Sequence, residues 1–483
     1  MQAIRRFFGI DAAGSTIGTE VRAGVVTFMT MAYIIVVQPL ILSGAGMPPG
    51  GVMLATCLAS AFATLVMGLF ANYPIALAPA MGHNIYFVGL VVGGVVPNWQ
   101  TALGAVFVSG AAFIVLSFFG FRERIVHAVP DSLKYAIATG IGLLIAVVGL
   151  RSAGIVVENA TATGWTLGPF GWPVVLALIG LAITGSLMAF RVKGAILIGL
   201  IATAVVGAVM GLVTAPPSPV GPPPWDELGE TLFGLDVLGA LKFGFFGVIF
   251  TFFFLDLFDT VGTLIGVCQQ AGLMREGELP RARRALFADA SGTVLGAVLG
   301  TSTVTSYVES AAGVSEGGKT GLASVVTAAL FLVAIFFYPS VQMITGGTAV
   351  DKRFEFQRVE ATVVEEADEE EAEVARPVAL PEGATLRVRR SQTLSPVTAP
   401  TLIIIGCLIM TSVVHIPWGD WTEALPAFLA ILLMPLTFSI TDGIAFGFIA
   451  YAFLKLVTGR WREVSPWVAV FAVLFLLRYI FLA

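Results

Sequence analysis

The chain has 483 residues, 57% of them hydrophobic and only 12% charged, with a mean hydropathy of +0.92. So much apolar length exceeds what one or two soluble cores bury, which excludes a soluble enzyme or binding domain and implies an all-α polytopic membrane protein. The net charge of −5 offers no basic surface for nucleic acid, and the three cysteines, Cys57, Cys268 and Cys407, show no paired spacing for a disulfide framework or a thiolate metal site.

Residues 1–19 carry Arg5 and Arg6 but no apolar run ending at a small-residue cleavage site, so insertion through the first helix is expected, with this segment in the cytoplasm. A span needs roughly 20 apolar residues. Runs of about that length fall near residues 20–44, 51–72, 75–95, 101–120, 132–150, 171–190, 194–213, 240–268, 283–300, 301–318, 320–344, 398–414, 423–439 and 441–457, fourteen in all. A further stretch, 465–482, is interrupted by Arg478 and is open to two readings, a span or a segment lying against the membrane.

Lys and Arg mark cytoplasmic loops. With the N-terminus inside, Arg122 and Arg124, Arg191 and Lys193, Arg275 with Arg281, Arg283 and Arg284, and Lys455 with Arg460 and Arg462 all fall inside. The Pro-rich linker 214–239, lacking Lys and Arg from Ala215 to Glu230, then falls outside and separates residues 20–213 from 240–457. Seven spans on each side mean that the second half enters the membrane with opposite topology, the arithmetic of two inverted repeats. The remainder, 458–483, is a C-terminal segment.

Between Asp351 and Thr398 stand eleven acids against seven bases, a net charge of −4. This insertion in the second repeat lacks the periodic apolar residues of a core and reads as a solvated extracytoplasmic loop. Gly313 to Thr320 satisfies the Walker A pattern letter for letter. A phosphate-binding loop follows a buried strand in a soluble α/β domain, and no such domain surrounds this string, so an ion gradient rather than ATP is expected to drive transport.

Acids interrupt two of the apolar segments. Asp256 and Asp259 lie in the eighth, three residues apart and so directed together at one interior surface, while Glu309 lies in the tenth among Thr301, Thr303, Thr305, Ser306, Gly313, Gly317 and Gly318. A carboxylate at bilayer depth costs about 2.5 to 3.5 kcal/mol on insertion scales, so these residues face a protein interior, a pathway or a ligand. The third segment is interrupted in the same way by Pro74, Pro79, Gly82, His83 and Asn84. Interrupted segments in matching positions of two halves point to a transporter site at the midplane. Asp259 and Glu309 have no adjacent cation and read as functional. Asp256 reads equally as a scaffold group or a ligand contact. Asp289 is either a helix-end partner of Arg283 and Arg284 or part of a proton path, and Tyr307 either packs or borders the site.

The strings Thr27 to Ile34, Ala78 to Asn84, Leu255 to Thr263, Ala288 to Gly292, Gly300 to Val314 and Met434 to Ile440 together resemble the AzgA-like purine permeases of nucleobase-cation symporter family 2, in the xanthine/uracil permease superfamily. The resemblance runs from about Arg5 to the C-terminus. It implies fourteen transmembrane helices as two inverted repeats of seven, with short antiparallel β-strands in broken helices 3 and 10. It also implies a core domain of helices 1–4 and 8–11 and a gate domain of helices 5–7 and 12–14.

The implied activity is proton symport of adenine, guanine or hypoxanthine across a bacterial cell membrane, with no cofactor and no metal, a sodium gradient being the alternative drive. A homodimer is the candidate assembly. Carried over by position, Asp259 and Glu309 look like the base-binding carboxylates, with Thr263 one turn after the first; Asn84, Tyr307 and Thr30 resemble other substrate-site positions. Asp256, Asp289 and His83 are the remaining polar candidates, for proton coupling or structure. Two departures stand out: His83 occupies a position that is more often apolar in the family, and the acidic 351–398 loop replaces a short connection.

Chemically, an ionised carboxylate accepts purine N–H groups and a protonated one donates, so proton and substrate binding at such a group are linked. The same fold could carry uracil, xanthine or another small anion. A membrane-embedded hydrolase is the rival from another class, but His83, His127 and His415 are widely separated and form no metal-binding pattern.

Overall fold

The computed structural model describes residues 2–118, 129–158, 164–214, 216, 218–242, 245–273, 279–345 and 395–481. Arg122, Arg124, His127, Arg275 and nearly all of the acidic insertion lie outside the described residues. Each of the fourteen apolar segments contains helix, the third and tenth only beside a short strand and the first as two helices in succession. Among the described residues, seven helices are long and apolar enough to cross a membrane by length and composition, and six shorter apolar helices accompany them.

In the first half the bundle helices are α1 (Ile17–Met31), α2 (Ile34–Ser43), α3 (Pro49–Val66), α4 (Met81–Val92), α5 (Trp99–Phe118), α6 (Asp131–Ser152), α7 (Trp172–Ala189) and α8 (Ala195–Val209). In the second they are α9 (Phe250–Gln270), α10 (Ala282–Leu299), α11 (Ser310–Ser315), α12 (Gly321–Ala334), α13 (Ala399–Met410), α14 (Trp421–Thr437), α15 (Ile440–Val457) and α16 (Pro466–Phe481). Among the described residues four short strands interrupt them: β1 (Leu77–Pro79), β2 (Val156–Glu158), β3 (Trp165–Leu167) and β4 (Val304–Ser306). β2 and β3 form a hairpin between α6 and α7.

The third and tenth segments break where their sequences forbid continuous helix. After α3, a π-turn ends at Asn72 in the left-handed conformation (φ 53°), and Pro74 and Pro79 bias the residues before them, Tyr73 and Ala78, toward extended backbone. β1 then pairs antiparallel with β4, Leu77 opposite Ser306 and Pro79 opposite Val304, so the two halves of the chain meet in one two-stranded sheet.

An open sheet edge inside a membrane protein must find other partners. Side chains from neighbouring helices supply them. Thr64 of α3 accepts from the Leu77 N–H (2.9 Å), Ser310 from the Ala76 N–H (3.0 Å) and Asp289 of α10 from the Ser306 N–H (3.0 Å), while Thr293 donates to the Val304 carbonyl (2.9 Å). The Tyr307 hydroxyl donates to the Pro79 carbonyl (2.5 Å).

Around the sheet, α1, α3 and α12 pack together, α3 and α5 pack on α10, and α11 packs on α1. A second set joins α6 to α13 and α14, α14 to α15, and α7 to α8 and α13. Lipid chains are as apolar as leucine, so close packing of small residues carries such contacts. Gly142 of α6 meets Gly406 of α13 so closely that an added Cβ would lie 2.7 Å from the Gly406 carbonyl oxygen. Within 465–482 the chain forms a helix, α16, that packs on α15. Phe471 and Phe475 of α16 are buried against Phe250, Phe254 and Phe448.

Candidate functional site

Glu309 follows β4 and precedes α11, in the kink of the tenth segment. Its Oε1 accepts from the Tyr33 hydroxyl at 2.5 Å, and its backbone carbonyl accepts from Thr30 Oγ1 at 3.4 Å. Both partners come from the first segment: Thr30 from the end of α1 and Tyr33 from the turn into α2. The Thr30 hydroxyl also contacts the Thr27 carbonyl (2.8 Å) and the Val26 carbonyl (3.1 Å), so its approach to Glu309 is the longest of three.

Asp259 approaches the same region from α9. Its Oδ2 accepts from Thr305 Oγ1 of β4 at 3.2 Å and stands 4.0 Å from Nδ1 of His83 in the first turn of α4. Its side chain is 45% exposed, although the helix lies within the bundle, so the carboxylate borders open space rather than packed side chains. Glu309 and Tyr307 both lie within electrostatic range of Asp259. Two carboxylates, two phenols and one imidazole from four stretches of chain thus converge at the β1–β4 crossing.

Asp256 does not share the direction of Asp259. Three residues along a helix differ by about 60° around its axis, and here that angle divides two environments. Asp256 is fully buried, its Oδ1 at 3.5 Å from Thr260 Oγ1, which donates at 2.7 Å to Asp289 Oδ2. Asp289 also accepts from the Ser306 N–H and hydroxyl, so these buried acids tie α9 and α10 to β4. The expected common surface for Asp256 and Asp259 is therefore corrected: one acid faces the scaffold and the other faces open space.

Asn84 is likewise held in the frame. Fully buried, it exchanges hydrogen bonds with Gln38 of α2 and accepts from Ser302, while Gln38 Nε2 also reaches Thr301 at 3.0 Å. Tyr307, with its hydroxyl on the Pro79 carbonyl, presents its ring rather than its oxygen. Thr263 is half-buried one turn beyond Asp259.

Sequence reasoning missed Tyr33, Gln38 and Thr260 as participants. The signals were present in two cases: a glutamine directly before Pro39 inside an apolar run, and a tyrosine at the break between α1 and α2. Among the described residues no group of three or more His, Cys, Asp or Glu side chains is arranged to hold a metal ion.

Two broken segments that cross as β1 and β4 within a bundle of apolar helices define the class, a multi-pass transporter of the cell membrane. The chain belongs to the permease family represented by the Xan_ur_permease model, which matches residues 18–345. The putative permease MJ0326 of Methanocaldococcus jannaschii is 45% identical across 100% of this chain and 99% of its own. The guanine/hypoxanthine permease PbuO of Bacillus subtilis is 40% identical, over 98% and 99%. The adenine permease AdeP of Escherichia coli is 37% identical, over 99% and 96%.

Among solved structures, the transmembrane domain of the cyanobacterial bicarbonate transporter BicA superposes with a TM-score of 0.54 at 12% identity, covering 90% of this chain and 97% of that one. Murine Slc26a9 gives 0.57 at 10% identity, covering 91% and 68%. At such identities these two matches speak for the fold alone.

Proposed function

We propose that this permease imports a purine nucleobase, adenine, guanine or hypoxanthine, by proton symport, with Asp259 and Glu309 as the groups that hold the base. The observation that carries the reading is the pair of carboxylates gathered at the β1–β4 crossing, Asp259 bonded to Thr305 of β4 and Glu309 directly after that strand, in a chain whose full-length relatives are named for purine bases. An anion carrier would want cations or free amides there, whereas the groups at hand are acids, hydroxyls and one imidazole.

A purine offers ring N–H and exocyclic amine donors, and a carboxylate accepts one or two of them. The coupled proton rides on one of the two acids, so that its binding and that of the base favour each other. We assign the set containing α1, α3, α10 and α12 to a core that carries the site, and the set containing α6, α13 and α14 to a gate. The core moves against the gate to expose the site alternately. Asp256, Asp289 and Asn84 support the site from behind, through β4 and α2.

The test is uptake of labelled adenine, guanine and hypoxanthine in cells lacking their own purine permeases, with uracil and xanthine as competitors. Uptake is expected to collapse when a protonophore discharges the gradient. Asp259→Asn and Glu309→Gln keep shape but remove the charge and the exchangeable proton, and each is expected to reduce uptake at least a hundredfold at near-normal membrane abundance. Robust uptake by both variants would sink the site, and uptake that survives the protonophore but follows a sodium gradient would replace the coupling ion.

A further inference from the structure

His83 stands at the crossing beside Asp259, and the proposed binding scheme gives it no role. It occupies the third position of α4, directly after β1, with its neighbour Gly82 pressed against Ile141 of α6 and Asn84 turned away into the Gln38–Ser302 cluster. The imidazole is 2% exposed, and its Nε2 is buried without a hydrogen-bond partner among the described residues. Its other nitrogen, Nδ1, stands 4.0 Å from Asp259 Oδ2, beyond hydrogen-bond length. A buried histidine that serves only the core normally satisfies at least one ring nitrogen. Among the described residues Nε2 of this one has no partner, and Nδ1 has only the 4.0 Å approach to Asp259, the acid assigned to the base.

The chemistry of the pair is specific. The nitrogen that faces a carboxylate carries the hydrogen in the favoured tautomer, so Nδ1–H is a donor beside the acceptor Oδ2. A donor and an acceptor side by side, separated by too much to bond each other, match a ligand edge that offers an acceptor beside a donor. Purines have such edges: a ring N–H next to a ring nitrogen, a ring N–H next to a carbonyl, or an exocyclic amine next to a ring nitrogen.

We propose that His83 and Asp259 together read one edge of the bound base, Asp259 accepting its N–H and His83 Nδ1 donating to the adjacent ring nitrogen. His83 is thereby a specificity-determining residue, one that rewards heterocycles with an acceptor at that position. The inference rests on the purine reading above and adds to it a residue and an edge.

The experiment pairs base analogues with variants of the full-length chain in the same permease-deficient cells. Adenine is compared with 1-deaza-, 3-deaza- and 7-deazaadenine, and hypoxanthine with its 3-deaza and 7-deaza analogues, as competitors of labelled-base uptake. Wild type is expected to disfavour one deaza position by about tenfold, the scale of one hydrogen bond in a dry site. In His83→Leu that one discrimination should vanish while those at the other ring positions persist; His83→Gln, which keeps a donor, should retain part of it.

Equal treatment of all the deaza analogues by wild type, or unaltered discrimination in His83→Leu, would overturn the proposal. So would a loss in both variants that is the same for every base. Failure of wild type to take up any purine would instead remove the reading beneath it, a separate and recognisable outcome.

Discussion

Glu309 and Asp259 are held by different kinds of partner, and that difference sets what each substitution should do. Glu309 takes a short hydrogen bond from Tyr33, a residue whose ring is itself buried between α1 and α2. A hydrogen bond to a charged group is worth roughly 1.5 to 3 kcal/mol. Tyr33→Phe retains the ring and removes only that bond, so purine uptake is expected to fall about tenfold in Vmax/KM with little change in abundance; an unaltered uptake curve would mean that the phenol does not orient the carboxylate. Both acids were legible in the sequence because charge inside an apolar run is conspicuous. Tyr33 was not, because a tyrosine among isoleucines and valines has a packing explanation of its own. Asp256 misled for a related reason: spacing along a helix gives direction only to within the width of a face, and the scaffold begins where the face of Asp259 ends.

The two broken segments are where element-level reasoning succeeded in part. Prolines, glycines and hydroxyl residues announced that segments 3 and 10 could not be plain helices, and the family resemblance supplied the strands. Their register was not legible, since a three-residue strand buried on both faces, as β1 and β4 are, has no alternation to read. Nor could the sequence say what becomes of the Walker-like string. In the fold its amides do bind an anion, but an internal one: the Lys319 and Thr320 N–H groups donate to the Glu20 carboxylate at 3.0 and 3.2 Å, and Glu20 is fully buried. The Lys319 side chain has no part in these bonds. Lys319→Ala is accordingly expected to transport normally, whereas Glu20→Ala strands two amides and should lower the melting temperature of the detergent-solubilised protein. Purine-stimulated ATP hydrolysis that disappears in Lys319→Ala would contradict this account.

Across the whole molecule, charged side chains at one end of α14 and α15 form a network that joins several helices. Lys455, fully buried near the end of α15, pairs with Glu423 of α14 and Glu463, each at 2.7 Å, and Arg460 pairs with Glu463 and Asp420, also at 2.7 Å. Ser132 at the start of α6 donates to Glu423 as well. The cluster thus ties α6, α14, α15 and the turn leading into α16, and it makes a prediction with a definite sign. Hydrogen bonds from Arg460 first and Lys455 second hold the Glu463 carboxyl down from its usual 4.5 to about 2. A group depressed by folding binds its proton more readily in the unfolded chain, so its stabilisation is complete above about pH 4.5 and is lost as the pH falls toward about 2. Glu463 is nearly half exposed, so the effect is modest and weakened by salt. Glu463→Gln should therefore melt below wild type at pH 7 and low ionic strength, and the gap should narrow as the pH is lowered from 4.5 toward 3. A gap that stays constant over that range would show that the variant acts through packing rather than through the lost charge.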